Sequence, residues 1–317
     1  MEQIRNLIGP HTHFYELLTF AAGCYILYSF FNALIRAFLS HYILTTFDLT
    51  SKYGKNSWAL VTGASKGIGL AYCYELAKHG FNIIMVARTV SLMNSHAVAL
   101  KKLYPVQVKV IMFDLRSDSQ APLLKELEGY DISLFVNNAG TVFMDTFTGI
   151  APGNISEVVN VNVKSALGLV NAMRERMRGR KVARNAIIVV SSVASKITFP
   201  YLNLYSPTKA YLSEAIKWMQ QKEETDGIDF LLAEYGGVST TMVPLPPIPG
   251  ALASAESTAR ETIRQLGNRS QTHGTIVHEM QRWIMPTEII KLFIGLMFRF
   301  AANSFIKEAY ERKRKMN

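Results

Sequence analysis

The stretch "YSPTK" places Tyr205 four residues before Lys209. On a helix the two side chains share a face. A free phenol titrates near pH ~10 and rarely serves as acid or base at neutral pH. A neighbouring ammonium favours the phenolate and lowers that value. The pair is therefore a candidate proton-transfer device, with Tyr205 as acid and Lys209 as tuner. Pro207 is tolerable there only in the first turn of the helix. An ordinary surface helix is the competing reading, since Tyr-x-x-x-Lys arises often by chance.

A second pattern, "ALVTGASKGIGLAYCYEL" at 59–76, spaces Gly63, Gly67 and Gly69 as Gly-x-x-x-Gly-x-Gly. Glycine permits a tight turn and close backbone approach, and a helix N-terminus offers free N–H groups to a phosphate. Ser65, Lys66 and Ile68 complete the candidate loop. In dinucleotide-binding sheets that take NAD, an acid at the end of the second strand bonds the adenosine ribose. Here that strand ends "MVART", with no acid between Phe81 and Thr89. Arg88 stands near the expected position and Lys66 lies inside the loop. Two cations in place of the acid predict the 2′-phosphate of NADP. Taken alone, Arg88 reads equally well as a surface arginine.

The elements that must position these groups are short apolar runs alternating with helical stretches. Strands are expected at 58–62, 82–87, 106–113, 132–136, 186–191 and 229–235, and helices at 68–79, 91–103, 118–128, 156–178 and 206–225. Nearly unbroken apolar strands between helices predict an α/β fold, a Rossmann-like doubly wound parallel sheet covered on both faces. "GTIVH" (274–278) is a candidate edge strand. "VPLPPIPGALA" (243–253) carries four prolines and must be a loop. The expected domains are 1–50, an anchor and linker; 51–285, the catalytic domain; and 286–317, a helical tail with a basic C-terminus.

With "TGASKGIG" (62–69), "NNAG" (137–140), "VNVNV" (159–163), "VVSS" (189–192) and "YSPTK" in this order and spacing, the chain resembles a short-chain dehydrogenase/reductase over about 56–280. The resemblance implies that Tyr205 is the catalytic acid and that Lys209 holds the nicotinamide ribose. It implies that Ser192 steadies the substrate oxygen, with Ser191 ranked second. Asn162 would support a proton-relay water, and Asp114 would meet the adenine edge. Asn138, Ala139 and Gly140 would close over the adenosine side. Many members carry Pro-Gly-x-Val-x-Thr after the sixth strand. This chain has "YGGVST" (235–240): Val238 and Thr240 still fit the nicotinamide contacts, while loss of the proline frees the turn.

Composition narrows the class. The 317 residues are 49% hydrophobic with a net charge of +10. That balance favours anionic partners such as nucleotides or lipid headgroups, and no nucleic-acid-binding signature is present. Two cysteines argue against a disulfide framework, and the seven histidines show no metal-ligand spacing. His273 and His278 read as polar loop or helix positions.

The flanks point to a lipid bilayer. No charge falls between Glu16 and Arg36, and as a helix residues 17–35 would be ~28 Å long, close to the hydrocarbon core. An N-terminal membrane helix is the expectation; a signal peptide and a buried core helix are its rivals. Residues 289–305 suit an interfacial helix or a core helix. These flanks resemble the branch of type 12 17β-hydroxysteroid dehydrogenases and very-long-chain 3-oxoacyl-CoA reductases. Lys313 and Lys315 resemble a dilysine retrieval signal, which implies the endoplasmic reticulum membrane with the catalytic domain facing the cytosol. The resemblance implies NADPH as cofactor and an apolar ketone as substrate. That ketone is a 3-oxoacyl-CoA by first choice and a ketosteroid by second. A homodimer or an elongation complex is the implied assembly. A non-catalytic NADP-binding scaffold is the alternative of another class. The basic run "RERMRGRKVAR" (174–184) falls at the wrong end of the strands for a coenzyme A site and reads as a solvated helix terminus.

Overall fold

The computed structural model describes residues 12–39, 48–145, 149–180, 184–197, 201–223, 227–248 and 252–279. The chain divides into two units between Leu44 and Thr45. The first contains helix α1, Thr12–Phe38. The second opens on a short helix α2, Leu49–Tyr53, whose Leu49 and Tyr53 join the core. The second unit therefore begins a few residues before position 51.

Seven parallel strands form the main sheet. They are β1 (Trp58–Thr62), β2 (Asn82–Ala87), β3 (Val108–Met112), β4 (Ile132–Asn137), β5 (Asn185–Ser192), β6 (Ile228–Tyr235) and, after a minor pair β7 (Val238–Ser239) and β8 (Ala253–Ser254), β9 (Gln271–Thr272). Their spatial order is β3-β2-β1-β4-β5-β6-β9. The order reverses between β1 and β4, which opens a crevice at the strand C-terminal ends.

Strand periodicity sorts the core into two layers. Ala59, Val61, Ile83, Met85, Leu134 and Val136 face one side. They meet Tyr72 and Leu76 of α3 (Gly67–Lys78), Met93 and Leu100 of α4 (Val90–Leu103), and Ile263 of a later helix, Ala255–Gln265. Leu60, Ile84, Val86, Phe135 and Ile187 face the other side. There they meet Leu123 of α5 (Ala121–Glu126), Leu169 and Met173 of Ala166–Arg178, and Leu212 and Ile216 of Tyr205–Glu223. Each fully buried aliphatic side chain contributes about 1.5–3 kcal/mol of transfer free energy.

Following α6 (Pro152–Val159), a π-helical turn, Asn160–Ser165, leads into α7 (Ala166–Arg178). The long helix expected over 156–178 is thus interrupted at Asn162. Helix α8 is Tyr205–Glu223 and α9 is Ala255–Gln265.

Two expectations need correction. The edge strand is Gln271–Thr272 and not 274–278, because Gly274 takes φ +78 and ends the extended run. The membrane-spanning segment is not found either: among the described residues no helix is long and apolar enough to cross a membrane. Helix α1 carries Thr19, Tyr25, Tyr28, Ser29 and Asn32, whose polar groups are costly in hydrocarbon. The helical tail expected at 286–317 lies outside the described residues.

Candidate active site

The glycine loop joins β1 to α3. Gly63 and Gly67 take φ +68 and +60, which L side chains rarely adopt. A Cβ at Gly69 would collide with the Gly63 carbonyl oxygen, so the helix can start this close to the turn only without a side chain there. Thr62 fastens the loop to the end of β4: its Oγ1 accepts from Asn138 N at 3.1 Å and Ala139 N at 3.2 Å. Asn138 Nδ2 donates to Thr62 O at 3.0 Å. The Asn138 amide therefore braces the loop from behind.

Lys66 precedes α3 as its cap, extended and exposed, and no side chain caps the helix. The first-turn N–H groups thus face the crevice without a side-chain acceptor, which fits a pyrophosphate. Ser65 is buried and Ile68 packs on the core. Arg88 is exposed just after β2, and its charge reaches Asp114 after β3. Asp114 is itself engaged by Arg116, at 2.6 Å from Nη2, and this pairing holds its carboxyl below the usual range.

Ser192, Tyr205, Lys209 and Asn162 converge at the ends of β5, α8 and the π turn. Tyr205 opens α8, so Pro207 does sit in the first turn. Burial pushes the Tyr205 phenol up to about 12, opposed by a hydrogen bond with Ser192. Lys209 is 3% exposed, and burial lowers its ammonium to about 8. Its Nζ lies 5.7 Å from the Tyr205 ring centroid and donates to Val190 O at 2.8 Å. In the protein alone desolvation dominates both groups, and the lysine does not bring the phenol below its ordinary value. Asn162 is fully buried. Its Oδ1 accepts from Thr141 N at 2.8 Å, and its Nδ2 donates to Thr141 O at 2.9 Å and Thr208 Oγ1 at 3.1 Å. Both Nδ2 hydrogens are taken up by the protein, which leaves one acceptor site on Oδ1. A Cβ built on Gly140 would lie 3.4 Å from Asn162 Oδ1 and 3.6 Å from Lys209 Nζ, which places the segment after β4 in contact distance of both groups.

The two serines separate cleanly. Ser191 is buried, with Oγ 2.7 Å from Ser213 Oγ. Ser192 Oγ accepts from Ala194 N at 3.1 Å and donates to Tyr235 O at 3.4 Å, and its hydroxyl is the group that lowers the Tyr205 phenol against burial. Ser192 is the one beside the phenol.

Tyr235, standing where proline was expected, ends β6 and is 2% exposed. Its hydroxyl bonds the Tyr72 hydroxyl and lies 2.8 Å from Thr262 Oγ1. Val238 is buried in β7, and Thr240 lies over the loop, its Cγ2 3.3 Å from a Cβ built on Gly67. The turn is therefore fixed without a proline. His273 falls in a loop and His278 in a helical turn, and both are buried. Glu234, also fully buried, bonds Lys196, Gln271 and Ser195. Nothing in the motifs pointed to these groups.

The basic run meets its own counter-charges at the strand N-terminal ends. Arg176 Nη2 donates to Leu127 O at 2.6 Å, Arg180 pairs with Asp131 at 2.6 Å and Arg184 with Asp229 at 2.6 Å.

Residues 57–245 match the short chain dehydrogenase family. The chain is 29% identical over 287 residues to the very-long-chain 3-oxoacyl-CoA reductase-A of Danio rerio, covering 87% of this chain and 86% of that protein. It is 30% identical over 245 residues to the 17-beta-hydroxysteroid dehydrogenase type 3 of Danio rerio, covering 73% and 79%. A solved structure of a 7beta-hydroxysteroid dehydrogenase shares the fold at a TM-score of 0.70 and 22% identity, over 78% of this chain and 100% of that one. With the glycine loop, the serine–tyrosine–lysine cluster and the parallel sheet in place, the chain belongs to the short chain dehydrogenase family as an NAD(P)-dependent enzyme, in the branch of very-long-chain 3-oxoacyl-CoA reductases and 17β-hydroxysteroid dehydrogenases.

Proposed function

We propose that the protein is an NADPH-dependent ketone reductase acting on an apolar 3-oxoacyl-CoA. The observation that carries the reduction is Tyr205 beside Ser192, with its phenol held protonated at neutral pH. NADPH supplies a hydride to the ketone carbon when bound. Tyr205 donates its proton to the developing alkoxide, and the Ser192 hydroxyl stabilises that oxygen. Lys209, while charged, offsets the phenolate left behind. Asn162 fixes the approach of α8 to the segment after β4. Its Oδ1, with one acceptor site left, and its backbone in the π turn are the groups open to a relay water.

Lys66 and Arg88, with no acid at the end of β2, favour the 2′-phosphate of NADPH over the diol of NADH. The segment after β7 exposes Met242, Leu245 and Ile248, which suits a fatty chain. It suits a ketosteroid equally, and the similarity to a type 3 17β-hydroxysteroid dehydrogenase keeps that as the second reading. Helix α1 exposes Leu17, Phe20, Leu27, Phe31 and Ile35, which supports association with a membrane surface. Lys313 and Lys315 suggest the endoplasmic reticulum, with the catalytic unit in the cytosol. Purified full-length protein assayed with NADPH against long-chain 3-oxoacyl-CoA and 17-ketosteroids tests the reading. Brisk steroid turnover without acyl-CoA turnover reverses the ranking.

A further inference from the structure

The turn that brings Thr240 over the glycine loop begins with Gly236 and Gly237. Two consecutive glycines lack the restraint that a proline ring supplies. The restraint comes instead from beyond the family match, in the segment around His278. That ring is 0% exposed. Its Nε2 lies 2.9 Å from Gly237 O and its Nδ1 lies 2.9 Å from His273 O. The same Gly237 carbonyl accepts from Ala253 N at 3.1 Å. One carbonyl of the glycine pair is thus held from two separate segments. The His278 ring also leans on Tyr235, with centroids 6.2 Å apart, and Tyr235 is anchored through its hydroxyl to Tyr72 and Thr262.

Two carbonyls face two ring nitrogens, but a neutral imidazole has one N–H. Burial lowers the ring's affinity for a second proton, although both carbonyls act in the other direction. At neutral pH the ring therefore donates once, and the choice of nitrogen decides which segment is held.

We infer that His278 is a positioning residue: as the Nε2–H tautomer it pins Gly237 O and sets Thr240 against the cofactor loop. The consequence for binding rests on the dinucleotide reading of Gly63–Gly69; the pinning of the turn does not.

Glutamine at 278 places an amide nitrogen where Nε2 lies, and asparagine places one where Nδ1 lies. Full-length wild type, His278→Gln and His278→Asn are compared by hydrogen exchange at 236–240 without cofactor, and by NADPH affinity and steady-state kinetics. His278→Gln is expected within about twofold of wild type in all three. His278→Asn is expected to exchange about fivefold faster at 236–240 and to raise the Kd and KM for NADPH about fivefold, the worth of one buried hydrogen bond, with kcat nearly unchanged. Equal behaviour of the two variants overturns the inference. Ring nitrogen NMR shifts in wild type decide the tautomer without any variant, and an Nδ1–H ring overturns it. Faster exchange in His278→Asn, with no NADPH bound by any of the three proteins, upholds the pin and refutes the dinucleotide reading.

Discussion

Lys209 lies over the Tyr205 ring: its Nζ is 5.7 Å from the ring centroid and donates to Val190 O at 2.8 Å. The lysine is thus held by a main-chain carbonyl, and its influence on the phenol is through space. Burial brings its ammonium down to about 8 while the phenol stands at about 12. On rising pH the lysine loses its charge before the tyrosine loses its proton.

Activity should follow that order. The value of kcat/KM for NADPH, which reports the free enzyme, is expected to fall above about pH 8. Replacing Lys209 by Arg, which stays charged, should move that limb upward or remove it. A profile flat to pH 10 contradicts the assignment.

The same group links stability to pH. A lysine whose folded value is depressed binds its proton more weakly in the folded state than in the unfolded chain. Stability therefore rises with pH between the folded value of about 8 and the unfolded value of 10.5. It is lost as pH falls back through that window. The wild type should gain on the order of 3 kcal/mol across it relative to Lys209→Met. Urea unfolding of both proteins from pH 7 to 10.5 measures the difference.

The glycine loop allows a steric prediction. Gly69→Ala drives a methyl group into the Gly63 carbonyl, and the loop must move. The expected cost is about 1–3 kcal/mol, with loss of most NADPH affinity. Denaturant melts and a binding titration read the two effects separately.

The cations after β1 and β2 predict cofactor preference. Arg88→Ala should weaken NADPH about tenfold or more by removing a charge-assisted contact, and leave NADH affinity nearly unchanged. Equal losses for both nucleotides contradict a 2′-phosphate site.

The strands were legible because each is a continuous apolar run between turn residues, and the sheet buries both faces. The site was legible where chemistry demands a residue type at fixed spacing: Gly63, Gly67 and Gly69 at the turn, Tyr205 and Lys209 along one helix face. Spacing ranked Ser192 ahead of Ser191, and the structure agrees: Ser213 takes Ser191, while Ser192 acts on the Tyr205 phenol. The roles of Asn138 and Asn162 were less legible, because a side-chain amide serves a ligand or the backbone equally well and only the fold decides. His278, Glu234 and Tyr72 were missed because their partners are 41, 37 and 163 residues away. No local periodicity encodes such contacts. The span expected near the N-terminus is not found among the described residues: α1 is free of charge from 17 to 35 yet carries hydroxyl and amide groups along its length.

The central claim is proton donation by Tyr205 to a ketone reduced at the adjacent nicotinamide. Wild type and Tyr205→Phe are compared for NADPH oxidation with a long-chain 3-oxoacyl-CoA and for NADPH binding. The account predicts that kcat falls about 10²- to 10⁴-fold while the Kd for NADPH stays within about threefold. Undiminished ketone reduction by Tyr205→Phe contradicts it.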